Sequence, residues 1–184
     1  VLKSSEVITR QVNHMTELVD DLLDVSRVTR GLVTLQEETL HLRSLLDAAV
    51  EQVRPLVETK HHELDVQLPD AELCVKGDRT RMIQVFSNIL NNAAKYTPEY
   101  GHITVRVVAT DEHVEVVVED NGIGIAQSLL PHVFNLFTQA ERSPDRAQGG
   151  LGLGLALVKS LLEMQGGRVT ADSEGLEQGS RFTV

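Results

Sequence analysis

Two neighbouring segments of alternating or continuous apolar side chains constrain the fold of this chain most strongly. Residues His102–Thr110 and His113–Glu119 have the character of strands, and the polar pair Asp111-Glu112 separates them. Strands joined by so short a turn pair antiparallel in a hairpin. The sheet therefore contains antiparallel strands, and we expect Arg168–Ser173 and Ser180–Val184 to add two more.

The remaining segments predict a chain that mixes helices and strands. Apolar side chains recur three and four residues apart in three long segments, which is the period of an amphipathic helix. In chain order we predict a strand at Thr34–Leu42, a helix at Arg43–Lys60, a strand at Glu63–Leu68, a helix from the N-cap Asp78 to about Lys95, a short helix at Leu129–Phe137, a polar loop at Thr138–Gly149 and a helix at Leu151–Gln165. Three helices packed on one mixed sheet form a two-layer α/β sandwich of the α+β class.

The first thirty residues differ from the rest because their apolar side chains form one long stripe. Its members are separated by alternating steps of four and three residues, as in a coiled coil, and are Ile8, Val12, Met15, Val19 and Leu22. We predict one N-terminal helix that packs either against a partner helix or back on its own domain. The pattern changes between Arg30 and Thr39, which divides the chain into residues 1–33 and a domain of residues 34–184.

Charge and composition exclude several classes of function. The net charge of −10 has the wrong sign for binding the phosphates of nucleic acid. With 41% hydrophobic residues the chain should fold, but its apolar runs are shorter than the ~20 residues that span a membrane. Cys74 is the only cysteine, so no disulfide forms within the chain. We expect a soluble, cytoplasmic piece that contacts neither nucleic acid nor membrane, and a bound phosphate would need a cation or backbone amides.

Three asparagines and a lysine lie close together on the second long helix. Asn88, Asn92 and Lys95 are four and three residues apart and share one face, with Asn91 beside them. Asparagine is a mediocre helix former, but Mg²⁺ accepts its amide oxygen together with phosphate oxygens, and a lysine can neutralise a phosphate. The pattern predicts the floor of a Mg-nucleotide site. A polar face turned to water is the alternative.

An acidic residue and two glycines follow the second strand of the hairpin. The segment reads Asp120-Asn121-Gly122-Ile123-Gly124-Ile125. A carboxylate at a strand end can accept a hydrogen bond from an exocyclic amine such as that of adenine, and the bare glycine backbone lets a flat ring approach. An ordinary Asp-Asn-Gly turn is the alternative.

Four glycines lead into the third long helix. The segment Gly149-Gly150-Leu151-Gly152-Leu153-Gly154 offers backbone amides and a helix N-terminus to an anion. Its spacing is not that of a dinucleotide-binding loop, because Leu155 stands where the third glycine is required, and the chain has no P-loop. A close-packed flexible turn is the structural alternative.

In this order, the three motifs resemble the N, G1 and G2 boxes of the histidine-kinase catalytic domain, a member of the GHKL superfamily with its Bergerat-type ATP-binding fold. The resemblance covers about residues 39–184 and includes Val133-Phe134-Asn135-Leu136-Phe137, which is similar to the F box. Leu18–Arg27 resembles the second helix of the dimerisation and histidine-phosphotransfer hairpin. The sequence from Phe134 to Gly150 is most similar to that of hybrid sensor kinases with receiver domains.

The resemblance implies a role for each motif residue. Asn92 would ligate Mg²⁺, while Asn88 and Lys95 would act at the metal and the phosphates of ATP. Asp120 would bind the adenine amine. The other implied ATP-binding residues are Tyr96, Gly122, Gly124, Ile125, Arg146, Gln148, Gly150, Leu151, Gly152, Leu153 and Gly154. The implied partners are an acceptor-histidine helix of the same or a partner protomer, a response-regulator receiver and, in the parent protein, a second copy.

One departure from the family pattern decides which reaction we expect. The family's acceptor is a histidine in a His-Glu box followed by Arg-Thr-Pro, and no such segment occurs among these residues. His14 lacks that context, and we interpret it as a residue of the helix surface. We therefore expect a catalytic piece, beginning after the acceptor helix, that binds Mg-ATP and phosphorylates a histidine that it does not contain.

Two rival functions remain. In the GHKL ATPases of the gyrase, chaperone and mismatch-repair kind, a glutamate base stands four residues before the metal asparagine, where this chain has Asn88. An amide cannot act as a general base, which disfavours hydrolysis. The other rival is a nucleotide-sensing or dimerisation module without catalysis.

Overall fold

The computed structural model describes residues 12, 15, 16, 19, 20, 22–28, 30, 32–110, 112–139 and 151–184. Its elements from residue 38 onward are β1 (Glu38–His41), α1 (Leu42–Thr59), β2 (Glu63–Gln67), β3 (Cys74–Gly77), α2 (Arg79–Tyr96), β4 (His102–Ala109), β5 (Val114–Asp120), a 3₁₀ turn (Leu130–His132), α3 (Gly154–Met164), β6 (Thr170–Asp172) and β7 (Ser180–Thr183). None of the helices in the described part of the chain combines the length and apolar character that crossing a bilayer requires.

The main sheet has five strands in the order β2-β4-β5-β7-β6. Strand β2 pairs parallel with β4, and every other pairing in this sheet is antiparallel. The predicted hairpin is confirmed, with Val105 opposite Val118 and Ala109 opposite Val114. Strands β1 and β3 form a separate antiparallel pair. The mixed sheet and its helix layer confirm the predicted two-layer sandwich.

The helix layer packs on one face of the sheet, and α2 lies at its centre. Helix α2 contacts both α1 and α3. Along β4, the side chains of Ile103 and Val105 are buried while that of Arg106 is exposed, as expected for a strand with one covered face. Burial of this apolar surface, at about 25 cal/mol per Å², is the main stabilising contribution. The largest fully buried side chains include Leu45, Leu46, Phe86, Ile89, Ile103, Leu157 and Leu161.

The start of α2 is fixed by the predicted N-cap. The Asp78 carboxylate accepts hydrogen bonds from the backbone amides of Arg81 at 3.1 Å and Gln36 at 3.0 Å. Burial alone would raise the pKa of Asp78, but the amide hydrogen bonds outweigh it and lower that pKa. The helix ends at Tyr96, before Thr97-Pro98, as predicted.

Three predicted elements differ in extent from the structure, and one strand was not predicted. The helix predicted at Leu129–Phe137 is only the 3₁₀ turn, and Phe137 has a φ of +62° that no helix accepts. Helix α3 starts three residues after Leu151, because Gly152 adopts a φ of +72°. Strand β1 is shorter than predicted. Strand β3 was not predicted, because it has only four residues and only two of them, Cys74 and Val75, are apolar. Beyond Thr138 and Gln139, the predicted polar loop lies outside the described residues.

The described end of the N-terminal helix packs on the rest of the chain. Residues 22–28 are helical, and Val25 and Val28 are buried in the core cluster. Asp24 bridges two residues of α2, with its Oδ2 3.2 Å from Arg81 Nη1 and 2.7 Å from Gln84 Nε2. Four members of the predicted stripe are exposed, namely Val12, Met15, Val19 and Leu22. This end of the helix therefore folds back on its own domain, and a partner helix for the exposed stripe remains a prediction.

Candidate functional site

A half-buried carboxylate, that of Asp120, lies at the end of β5. Asp120 accepts hydrogen bonds from the Gly122 amide at 2.8 Å and from the Ser180 hydroxyl at 2.5 Å. Burial raises the pKa of Asp120, and the hydrogen bonds from Ser180 and Gly122 partly offset this effect. The Thr97 hydroxyl also lies near the carboxylate, is fully buried and makes no hydrogen bond of good geometry among the described residues. The site thus holds a partly desolvated acceptor beside a hydroxyl that a bound molecule or water could satisfy.

The two glycines after Asp120 are required by their surroundings. A Cβ on Gly122 would lie 2.6 Å from both the Asp120 carboxylate and the Tyr96 carbonyl oxygen. Gly124 has a φ of +67°, and its Cβ would overlap the Gly175 carbonyl. A side chain at Gly122 would fill the space beside the carboxylate. Glycine leaves that space open, as the predicted approach of a flat ring requires. Contacts with residues outside the turn therefore require glycine at both positions, which an ordinary Asp-Asn-Gly turn does not.

The asparagine face of α2 is directed at the start of α3. A Cβ on Gly154 would lie 3.9 Å from Cγ and Oδ1 of Asn88. The Asn88 side-chain nitrogen is buried and has no hydrogen-bond partner among the described residues. Asn92 and Lys95 are partly buried, whereas Asn91 is exposed. A buried donor without a partner costs about 1–3 kcal/mol, so this face differs from a polar face turned to water.

The end of α2 connects the asparagine face to the carboxylate. The Tyr96 carbonyl accepts a hydrogen bond from the Ile123 amide at 3.1 Å. The Lys95 ammonium lies 5.1 Å from the centroid of the Tyr96 ring. Ile125, further along the same loop, donates its amide to the Ser173 hydroxyl at 3.0 Å. Helix α2 therefore contacts the loop after Asp120 at its C-terminal end and the start of α3 at Asn88, so that described residues of all three motifs are neighbours.

The glycine-rich segment is described only from Leu151 onward. A Cβ on Gly152 would lie 2.6 Å from the Thr138 carbonyl, and the Gly152 carbonyl accepts the Phe137 amide at 3.1 Å. The side chain of Leu153 is fully buried in the core, so that this residue can meet a ligand only through its backbone. The predicted residues Arg146, Gln148 and Gly150 lie outside the described residues, as does His14.

Sequence reasoning missed two residues of the site, Ser180 and Thr97. Ser180 is opposite Asp120 in the β5–β7 pairing. Their proximity follows from which strands become neighbours, and this is not visible in the periodicity of either segment. Thr97 is visible in the sequence as the residue that ends α2, but nothing in its local pattern indicates that it faces Asp120.

The donor set fits Mg²⁺ better than a metal that is held by the protein alone. Among the described residues, no group of three or more His, Cys, Asp and Glu side chains could hold a metal ion. Mg²⁺ is often bound through one or two protein oxygens, with water and phosphate completing its octahedron. The amide oxygens of Asn92 and Asn88 can supply such ligands, and the buried Asn88 nitrogen, which has no partner among the described residues, can donate to a phosphate oxygen.

Comparison with known proteins gives one family and several relatives. Residues 77–184 match the family of histidine kinase-, DNA gyrase B-, and HSP90-like ATPases. The chain is 32% identical over 181 residues to the sensor histidine kinase WalK of Bacillus subtilis, covering 97% of this chain and 30% of WalK. It is also 32% identical over 188 residues to the hybrid signal transduction histidine kinase L of Dictyostelium discoideum, covering 97% of this chain and 11% of that protein.

A solved structure extends the similarity over the whole chain. Full-length ShkA in complex with AMPPNP has a TM-score of 0.80 and 28% sequence identity, covering 100% of this chain and 38% of ShkA. The chain therefore spans well under two thirds of the length of each of these relatives.

Proposed function

The chain belongs to the family of histidine kinase-, DNA gyrase B-, and HSP90-like ATPases, as its motifs predict, and from this premise we propose that it binds Mg-ATP and transfers the γ-phosphate to a histidine of its parent sensor kinase. One observation carries the proposal. Helix α2, which carries the asparagine face, contacts both the loop after the half-buried Asp120 and the start of α3, and the buried side-chain nitrogen of Asn88 on that face has no hydrogen-bond partner among the described residues.

Each part of the site has a role in binding ATP. Asp120 accepts a hydrogen bond from the adenine amine, and Gly122 keeps the space beside the carboxylate open. Lys95 offsets phosphate charge, and the N-terminus of α3 offers backbone amides to the same phosphates. Asn92, with Asn88 beside it, would hold Mg²⁺, which when bound neutralises charge on the phosphate oxygens. The structure of ShkA with AMPPNP supports the assignment of the nucleotide.

The proposed reaction needs little covalent chemistry from this chain. The unprotonated nitrogen of the acceptor imidazole forms a bond to the γ-phosphorus, the bond to the bridging oxygen breaks, and ADP leaves with that electron pair. The phosphorylated ring then releases the proton on its other nitrogen to water. Catalysis of this step depends on positioning and on stabilisation of charge. Lys95, Asn88 and the α3 amides provide both, and no nucleophilic side chain is required in the site.

Transfer is favoured over hydrolysis by the residue at position 88. ATP hydrolysis requires a base that activates water, and the Asn88 amide cannot accept a proton at neutral pH. The non-catalytic alternative is disfavoured because Asn92, Lys95 and Asp120 are all present. The histidine-kinase names of the relatives support the same choice.

The wider organisation is also a proposal. We propose that residues 1–33 belong to the second helix of a dimerisation and phosphotransfer hairpin, and that residues 34–184 form the catalytic domain. The exposed apolar stripe of the first segment supports a homodimer in the parent protein. The acceptor helix, a response-regulator receiver and a cytoplasmic location complete the proposal, and the hybrid kinase relative supports the receiver.

We expect the site to prefer ATP over GTP by at least about tenfold in Kd, because a carboxylate that accepts from the adenine amine faces an oxygen acceptor in guanine. Calorimetric titration of the chain with each nucleotide in excess Mg²⁺ measures the ratio. The matched control is the pair ADP and GDP, which keeps the bases and shortens the phosphate chain. Equal affinities for ATP and GTP would contradict the assignment of Asp120 to the base.

A further inference from the structure

The side chain of Lys60, just after α1, reaches the C-terminal end of α2. Its ammonium donates to the carbonyl oxygens of Ala94 at 2.9 Å, Lys95 at 2.6 Å and Thr97 at 2.9 Å. The last carbonyls of a helix have no partner within the helix and carry a partial negative charge, which a cation there stabilises. Lys60 therefore caps the helix that carries the asparagine face, from outside that helix.

Neighbours of Lys60 hold the same turn. The buried side chain of His62 donates from Nε2 to the carbonyl oxygens of Thr97 at 3.2 Å and Pro98 at 2.9 Å. Both partners can only accept, so that Nε2 carries the hydrogen. The Lys60 carbonyl accepts the Tyr100 amide at 2.9 Å. The connection after α1 thus fixes the connection between α2 and β4 through several hydrogen bonds.

The fixed turn links the two halves of the proposed site. Lys95, whose carbonyl Lys60 contacts, belongs to the phosphate half. The next residue, Tyr96, accepts the amide of Ile123 in the loop that follows Asp120. The path of the backbone from Lys95 to Thr97 therefore sets the distance between the phosphate half and the base half.

We propose that Lys60 is a positioning residue of the nucleotide site, which holds the backbone of residues 95–97 so that both halves can bind one ATP molecule. This inference rests on the proposed function. A ligand that spans two subsites gains affinity only when their separation matches its own length. Loss of the Lys60 ammonium should therefore affect ATP, which spans both halves, more than adenosine, which reaches the base half alone.

The test compares Lys60→Met, Lys60→Arg and the control Lys76→Met, which removes an equal charge from an exposed position on β3. Affinities for Mg-ATP and adenosine are measured by NMR titration at a temperature where circular dichroism shows every variant to be folded. We expect Lys60→Met to weaken Mg-ATP by about tenfold and adenosine by less than about threefold. Lys60→Arg keeps a cation with N–H donors at the helix end, and Lys76→Met removes only an exposed charge, so each should stay within about threefold of wild type for Mg-ATP.

Two results overturn the inference while leaving the proposed function intact. One is unchanged Mg-ATP affinity in Lys60→Met; the other is an equal loss of ATP and adenosine affinity, which indicates a general structural role. A wild-type chain that does not bind Mg-ATP contradicts the proposed function itself. Should Lys60→Met not fold, Lys60→Gln, which keeps two N–H donors without the charge, is measured with the same outcomes.

Discussion

Asp120→Asn weakens the binding of ATP and ADP by about 10- to 150-fold, because it removes the charge-assisted hydrogen bond to the adenine amine, which is worth about 1.5–3 kcal/mol. The asparagine also places an NH2 donor where the adenine amine needs an acceptor. Calorimetric titration in excess Mg²⁺ measures the loss. Glu119→Gln is the matched control, since it removes an equal charge one residue earlier on β5. Glu119 pairs with Arg181 and Arg106, and we expect a change of about threefold or less.

The same substitution should leave the unliganded chain at least as stable as wild type at pH 7. Burial raises the pKa of Asp120 above its value in the unfolded chain. The folded state therefore binds more protons than the unfolded state between the two pKa values, and its stability falls as pH rises through that window. An asparagine avoids this penalty and can still accept the Gly122 amide. A strongly lowered Tm for Asp120→Asn would mean that lost binding reports lost folding, and would contradict the assignment.

Removal of Mg²⁺ should weaken ATP binding by at least about tenfold, because a chain of net charge −10 must accept a highly charged triphosphate. Asn92→Ala should bind ATP weakly in both conditions, so that affinities in Mg²⁺ and in excess chelator differ by less than about threefold. Both affinities are measured by calorimetry for wild type and variant.

The neighbouring Asn91 provides the matched control for this experiment. It is the same residue type on the same helix, but it is exposed. Asn91→Ala should keep the full dependence on Mg²⁺. If Asn91→Ala and Asn92→Ala behave alike, or if wild type binds ATP equally well in chelator, Asn92 does not hold the metal.

The long helices and the hairpin were predictable because burial sets their periods. Leu45, Leu46 and Ala49 of α1, and Phe86 and Ile89 of α2, are buried as their spacing predicts. Boundaries at glycines were less predictable. Helix α3 begins at Gly154 and not at the predicted Leu151, because Gly152 has a positive φ. The apolar Leu151 and Leu153 continue the helical pattern, so the sequence does not indicate this later start.

The site was predictable only where its residues are close in sequence. Asn88, Asn92 and Lys95 share a helix face, and Asp120 and Gly122 share a turn, so each motif could be identified separately. Ser180, Thr97 and Lys60 join the site through strand pairing and helix packing between distant segments. The roles of Arg146, Gln148 and Gly150 stay predictions.

The fate of the γ-phosphate of labelled ATP tests the central proposal most directly. The 184-residue chain is incubated with γ-labelled Mg-ATP alone, as His14→Ala, and with a separate hairpin from the parent protein that carries the acceptor histidine. Transfer requires an acceptor nitrogen within attack distance of the γ-phosphorus. We predict no label on the chain alone, and acid-labile, alkali-stable label on the hairpin that is lost in Asp120→Asn and Asn92→Ala. Label on the chain alone that disappears in His14→Ala, or release of inorganic phosphate in place of transfer, would contradict the account.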